Sequence, residues 1–201
     1  MHWAVGLTTA PRPEPTLKRT RTSLHKAGWP DCRVFDDTDA AGAWRNWIDG
    51  LEQLIRRRPR AHAYLMVQDD AVFCRGLRAY LERTLWPADG AALCSPYSPT
   101  PYRQPHRGWH EENRGWSLVG ALCWALPPDS ARAIVAELSG VEAKSRIDAR
   151  IGQWARGTGR TVWYHTPSLV QHVGLGNSAL GDTCRGSLRV AADFPGEVVE
   201  P

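Results

Sequence analysis

The chain has 201 residues, 42% of them hydrophobic, with a formal net charge of +4. That length and apolar content suit one sizeable α/β domain with its own core, and no run is long enough to cross a bilayer, which excludes a membrane-spanning protein. The first residues, a short apolar stretch followed by Pro11, Pro13 and Pro15, lack the profile of a signal peptide, so the expected location is the cytoplasm.

The five cysteines (Cys32, Cys74, Cys94, Cys123, Cys184) are odd in number, widely spaced and free of any Cys-x-x-Cys pair. Neither a disulfide framework nor a zinc knuckle is indicated, and buried free thiols are the simplest account. Positive charge gathers in two places, Lys18, Arg19, Arg21, His25 and Lys26, and Arg56, Arg57, Arg58 and Arg60. Such clusters form solvated faces or meet a polyanion. Ten tryptophans is a high count, divided between core and any ligand-stacking surface.

In chain order, His2 to Thr8 reads as a first strand, and Thr9-Ala10-Pro11-Arg12-Pro13 as a rigid loop at its carboxyl end. Thr8, Thr9 and Arg12 there present two hydroxyls and a guanidinium to a nucleotide, or form an ordinary polar turn. Thr16 to Lys26 follows as a helix stopped near Gly28, and Cys32 to Phe35 as a short strand closed by Asp36 and Asp37. A carboxylate at that strand end accepts from a ribose or base in a nucleotide-binding half-sheet, or simply makes a turn.

Gly42 to Arg58 is the clearest helix, with Trp44, Trp47, Ile48, Leu51, Leu54 and Ile55 on one face and Pro59 as its stop. Ala63 to Gln68 is an apolar run of strand length that ends in Asp69 and Asp70, with a helical pattern through Leu77, Tyr80, Leu81 and Leu85 expected directly after. Carboxylates at the carboxyl end of a strand in an open sheet are sited to hold a divalent cation against a phosphate; they serve equally as a turn or a helix N-cap. Three strand–helix alternations before residue 90 predict a mostly parallel central sheet flanked by helices.

Ala91 to Ser95 is a further strand. The stretch from Pro96 to Trp116, rich in Pro, Gly, His, Arg and aromatic residues, shows no period and is expected to lie over the crevice, with Trp109, His110, Glu111 and Glu112 as acceptor contacts. Ser117 to Leu126 reads as a strand with Gly120 in its middle, where a ligand or backbone can come close. Helices are expected from Pro128 and over Arg146 to Arg156, the second carrying Asp148 near its start, where the carboxylate also complements the helix dipole. Thr161 to Tyr164 is a strand, and the residues beyond Asp182 are expected to be a tail that packs across the sheet or frays, which sets the domain at 1–182 and the tail at 183–201.

Gly-Leu-Thr-Thr-Ala-Pro-Arg near the start, Gln-Asp-Asp-Ala-Val in the middle, and Asp148 followed by Pro-Ser-Leu-Val-Gln-His-Val-Gly form an ordered set. From about Trp3 to about Leu180 that set resembles a small glycosyltransferase of the GT-A fold, a single Rossmann-like α/β domain using a nucleotide-sugar donor. The resemblance implies Mn²⁺ or Mg²⁺ held by Asp70, with Asp69 facing the metal or the donor ribose, and His172 completing the shell. Gln68 stands where the spaced acidic motif has its first aspartate. It further implies Asp148 as general base in an inverting reaction, Thr8, Thr9, Arg12 and Asp37 along the nucleotide, and Asn177 and Ser178 near the diphosphate. A bound divalent ion stabilises the charge gained by a leaving nucleoside diphosphate, and a carboxylate suffices to deprotonate an acceptor hydroxyl.

By resemblance the donor is a UDP-sugar, and the acceptor a glycan, a small molecule or a hydroxymethylated base in DNA, as in phage-like enzymes. A non-catalytic nucleic-acid-binding module is the alternative from another class, using the basic clusters and tryptophans. A nucleotidyltransferase would need similar carboxylates, and no Walker-type phosphate loop is present.

Overall fold

The computed structural model describes residues 1–112, 118, 120–141, 146–174 and 189–201. Its centre is a seven-stranded sheet of order β2-β1-β3-β7-β5-β8-β6. The strands are β1 (Trp3–Thr9), β2 (Arg33–Asp36), β3 (Ala63–Gln68), β5 (Ala91–Ser95), β6 (Gly108–Glu111), β7 (Cys123–Leu126) and β8 (Thr161–Thr166). Five of the seven run in one direction; β7 lies antiparallel between β3 and β5, and β6 antiparallel at the edge beside β8. The mostly parallel sheet expected from the strand–helix alternation is therefore present.

Helices cover both faces, which is why β3 is apolar throughout rather than alternating. Tyr64 and Met66 of β3 point to one side, with Trp124 and Leu126 of β7, against helix α2 (Ala43–Arg57), α4 (Pro128–Leu138) and α5 (Ile147–Gly157). Leu65 and Val67 point to the other, with Cys123 and Ala125, against α1 (Leu17–Lys26) and α3 (Leu77–Thr84). On α2 the apolar stripe buries Trp44, Trp47, Ile48, Leu51 and Leu54. Trp47 lies between Trp44, stacked at 6.0 Å, and Trp124, edge-on at 6.0 Å. Burying each such large apolar side chain contributes about 1.5–3 kcal/mol or more.

Three expectations need correction. A three-residue strand, β4 (Ala71–Phe73), intervenes between Asp70 and α3, paired antiparallel with β9 (Val170–His172) in a second, two-stranded sheet. Runs this short carry no readable period. The strand expected from Ser117 begins only at Cys123; Gly120 has φ +86°, outside strand geometry, and the ring of Tyr97 rather than a ligand occupies the space a Cβ would need. The stretch after Pro96 contains edge strand β6, which puts Trp109, His110 and Glu111 at the edge of the sheet away from β1, β2 and β3. Strands about 4.8 Å apart leave β6 roughly 19 Å from β3, too far for these residues to serve a site above β1 and β3 directly.

Residues 189–201 pack against β9 instead of fraying, one of the two outcomes expected for them. Gln171 of β9 accepts from the Ala191 amide and donates to the Ala191 carbonyl, both at 3.0 Å, while Asp193 accepts from the Ser168 amide at 3.1 Å. Cys74, Cys94 and Cys123 are buried free thiols, with burial raising each pKa, and Cys32 is half-buried and free. Among the described residues no helix is long and apolar enough to cross a membrane.

Candidate active site

Strands β1 and β3 are parallel and in register, Thr8 opposite Gln68, and the Asp69 amide continues the ladder by donating to the Thr8 carbonyl at 3.0 Å. On the other flank of β1, Thr9 lies opposite Asp36 and the Asp37 amide donates to the Thr9 carbonyl at 2.9 Å. The carboxyl ends of three adjacent strands thus finish level, and above them opens a cleft of about 410 Å³. Thr8, Thr9, Arg12, Asp37, Asp69 and Asp70, six of the residues singled out in the sequence, line it together. Its size suits a small-molecule ligand, and its position is where open α/β sheets bind one.

The charges in this cleft are locked to one another. Thr9 donates its hydroxyl to Asp69 Oδ2 at 2.5 Å, and Arg12 donates through Nη2 to Asp69 Oδ1 and through Nη1 to Asp70 Oδ2 at 3.2 Å. The Asp69 carbonyl accepts from Thr20 of α1 at 2.6 Å, fixing the strand end from below. Burial pushes the Asp69 carboxyl above its ordinary range despite Thr9 and Arg12. Burial pushes Asp70 the same way, but the hydrogen bond and charge of His172, with Arg12, outweigh it and hold that carboxyl below the usual range.

His172 reaches the site through the small sheet. Ala71 pairs with His172, and the Val173 amide donates to the Asp70 carbonyl at 2.8 Å, so two distant stretches meet with His172 Nε2 3.2 Å from Asp70 Oδ2. A Cβ on Gly174 would sit 2.7 Å from that same oxygen, so only glycine lets the chain pass Asp70 here. Asp70 Oδ1 and His172 Nδ1 are buried and have no hydrogen-bond partner among the described residues. The carboxylate suits Mn²⁺ or Mg²⁺ and the imidazole a transition metal, and phosphate and water oxygens would have to supply the rest of any such shell. Both Asp69 oxygens are already engaged, and no third His, Cys, Asp or Glu joins the pair among the described residues.

Asp37 accepts from the Gly42 amide at 3.0 Å and so pins the start of α2 while lining the cleft. Asn46, one turn into α2, is a lining residue that the sequence reading passed over; its amide donates to the carbonyls of Thr9 and Phe35, both at 3.1 Å, and ties β1 to β2. Asp148 stands in the first turn of α5 beside Ile147, which lines the cleft. It is buried at 9% exposure and accepts from the Gly120 amide at 3.1 Å, with Arg146 3.7 Å away. Asn177 and Ser178 lie outside the described residues. Of the basic clusters, that of α1 is exposed, whereas Arg57, Arg58 and Arg60 line a separate cavity of about 530 Å³ with His2 and Trp3, at the amino-terminal ends of the strands.

The fold is similar to that of known structures. A crystal structure of a glycosyltransferase involved in the glycosylation of the major capsid of PBCV-1 superimposes over 82% of this chain and 82% of its own, with TM-score 0.50 and 8% identity. The chain has a GT-A-like fold. The crystal structure of A197 from STIV is similar over 85% of this chain and 84% of its own, with TM-score 0.51 and 9% identity. No family model and no curated protein sequence matches the chain. In the GT-A-like frame, the carboxylate-lined cleft stands at the carboxyl ends of β1 and β3.

Proposed function

We propose that the chain is a glycosyltransferase that moves a sugar from a nucleoside diphosphate, by default UDP, to an acceptor hydroxyl. The observation that carries this reading is the convergence of Asp70, Asp69 and Arg12 in one cleft at the strand ends of a GT-A-like fold, with His172 in contact with Asp70 behind its lining. Asp70 and His172 would hold Mn²⁺ or Mg²⁺, which when bound supplies Lewis-acid stabilisation of the departing diphosphate. Arg12, whose guanidinium matches phosphate oxygens in geometry and charge, stands ready to share that role. Thr8, Thr9, Asp37 and Asn46 form the wall left for the nucleoside.

Asp148 is the proposed general base of an inverting reaction. The acceptor hydroxyl gives its proton to the carboxylate, its oxygen forms a bond to the anomeric carbon, and the bond from that carbon to the diphosphate oxygen breaks, releasing the nucleoside diphosphate. The Gly120 amide orients Asp148 for this task. Because Arg57, Arg58 and Arg60 gather at the far end of the strands, they do not flank an acceptor in this cleft; the basic cluster nearer to it is the exposed one on α1, whose Thr20 bonds the Asp69 carbonyl.

Calorimetric titration with UDP, GDP and TDP, with and without Mn²⁺, tests the reading. One diphosphate is expected to bind in a metal-dependent way and to lose about 100-fold or more in affinity in Asp70→Ala, as removal of a ligand to a required ion would cause. Absence of binding by every diphosphate under every metal condition would overturn it.

A further inference from the structure

The Arg12 guanidinium already occupies a cation's place. Its side chain is 7% exposed and spans both carboxylates, whose own side chains are 3% and 7% exposed. Two adjacent carboxylates buried to that degree require a counter-charge, since removing one partner of a buried ionic cluster leaves an uncompensated charge away from water. Arg12 Nη1 and His172 Nε2 converge on the same atom, Asp70 Oδ2, each at 3.2 Å. A divalent ion bound to Asp70 with the guanidinium still in contact would meet a like charge at close range in a site poorly screened by water.

We propose that Arg12 is the resident counter-cation of the Asp69–Asp70 pair, and that a divalent ion binds as the guanidinium leaves Asp70 for the donor diphosphate. This rests on the transferase reading of the cleft and deepens it by assigning the order of charges. Pro11 and Pro13 restrict the backbone on either side of Arg12, so the movement belongs to the side chain. Among the described residues the buried Arg12 Nε has no partner, which leaves a donor unspent, and Arg12 lines the same cleft in which a diphosphate would lie. The exchange conserves balance: the ion replaces the guanidinium on the carboxylates, and the guanidinium meets new negative charge on the phosphates.

Two titrations on Arg12→Gln decide the matter, because the proposal predicts opposite signs. With Mn²⁺ as the only ligand, the variant is expected to bind about 10-fold or more tightly than the unsubstituted protein, its competitor being gone. With UDP at saturating Mn²⁺, it is expected to bind about 10-fold or more weakly, having lost a phosphate contact. Arg12→Lys, which keeps a charge but not the fork, should shift in the same two directions by less, and it carries the test if melting shows Arg12→Gln to be unfolded. If both affinities fall, Arg12 is only structural and the proposal is overturned; unchanged Mn²⁺ affinity overturns it as well. Metal-independent UDP binding that weakens in the variant would overturn the exchange while leaving the transferase reading in place. No binding of Mn²⁺ or UDP by either protein would overturn both.

Discussion

Asn46 and Trp47 are neighbours on α2, yet they serve regions held together in different ways. Trp47 is 1% exposed in a stack of aromatic rings that binds by area and needs no directed contact. Asn46 faces the cleft, where amide, hydroxyl, carboxylate and guanidinium are fixed by directed bonds and paired charge. Buried ion pairs add little net stability compared with apolar packing, so the first region holds the fold while the second holds a geometry. Stability and ligand binding should therefore separate when the two regions are altered one at a time.

The largest effect is expected at Trp47. Trp47→Ala should cost about 3–5 kcal/mol in urea unfolding, with the Mn²⁺ and UDP affinities of the remaining folded protein unchanged. A variant that kept its stability and lost its ligands would break the comparison. Asn46→Ala loses the amide bridge between the Thr9 and Phe35 carbonyls; a loss of about 1–2 kcal/mol is expected, together with weaker UDP binding in the same calorimetric assay.

His165 offers a sharper case, a buried polar group whose hydrogen-bonding partners are neutral. Its Nδ1 lies 2.7 Å from the Pro167 carbonyl, which makes Nδ1 the donor and Nε2 the acceptor for the Tyr80 hydroxyl at 2.6 Å. Burial first, then the charges of His110 and Arg107, lowers its pKa below the ordinary 6.5. The unfolded chain takes up the proton first on acidification, so stability is full above pH 6.5 and declines as pH falls toward the lowered folded pKa. Unfolding followed from pH 7 to 5 should show that decline, with a slope from this group of at most about 1.4 kcal/mol per pH unit, and His165→Gln should flatten it. The smallest effect belongs to the exposed Arg45–Asp49 pair one turn apart on α2, where Arg45→Ala should change the thermal midpoint by the equivalent of about 0.5 kcal/mol or less.

What could be read in advance follows the same division. The stripe of α2 and the run of β3 are long enough for period and composition to speak, and Asp69 and Asp70 stood out because charge ended an apolar run. Strands β4 and β9, with three residues each, have no period, so the ladder that brings His172 to Asp70 was invisible, although His172 itself was singled out by resemblance. Strand β6 is an edge element whose side chains are half-buried or exposed, and it lacked the apolar alternation that marks a strand. Local sequence places Arg12 at the cleft but not its contact with the two carboxylates, a preference set by burial. Gly174 and Gly120 are spatial requirements, legible only once Asp70 and Tyr97 are in place beside them.

The small sheet has a consequence for how the molecule assembles. Pairing Ala71 with His172 closes a loop of about a hundred residues, a contact that loop-closure entropy penalises and that rewards the chain only after the strands between have found their places. A chain emerging from the ribosome therefore carries Asp69, Asp70 and Arg12 through about a hundred further residues of synthesis without the imidazole that completes their neighbourhood. If His172 is needed for binding as proposed, competence would arrive only with this closing strand, and ligand occupancy would report its pairing.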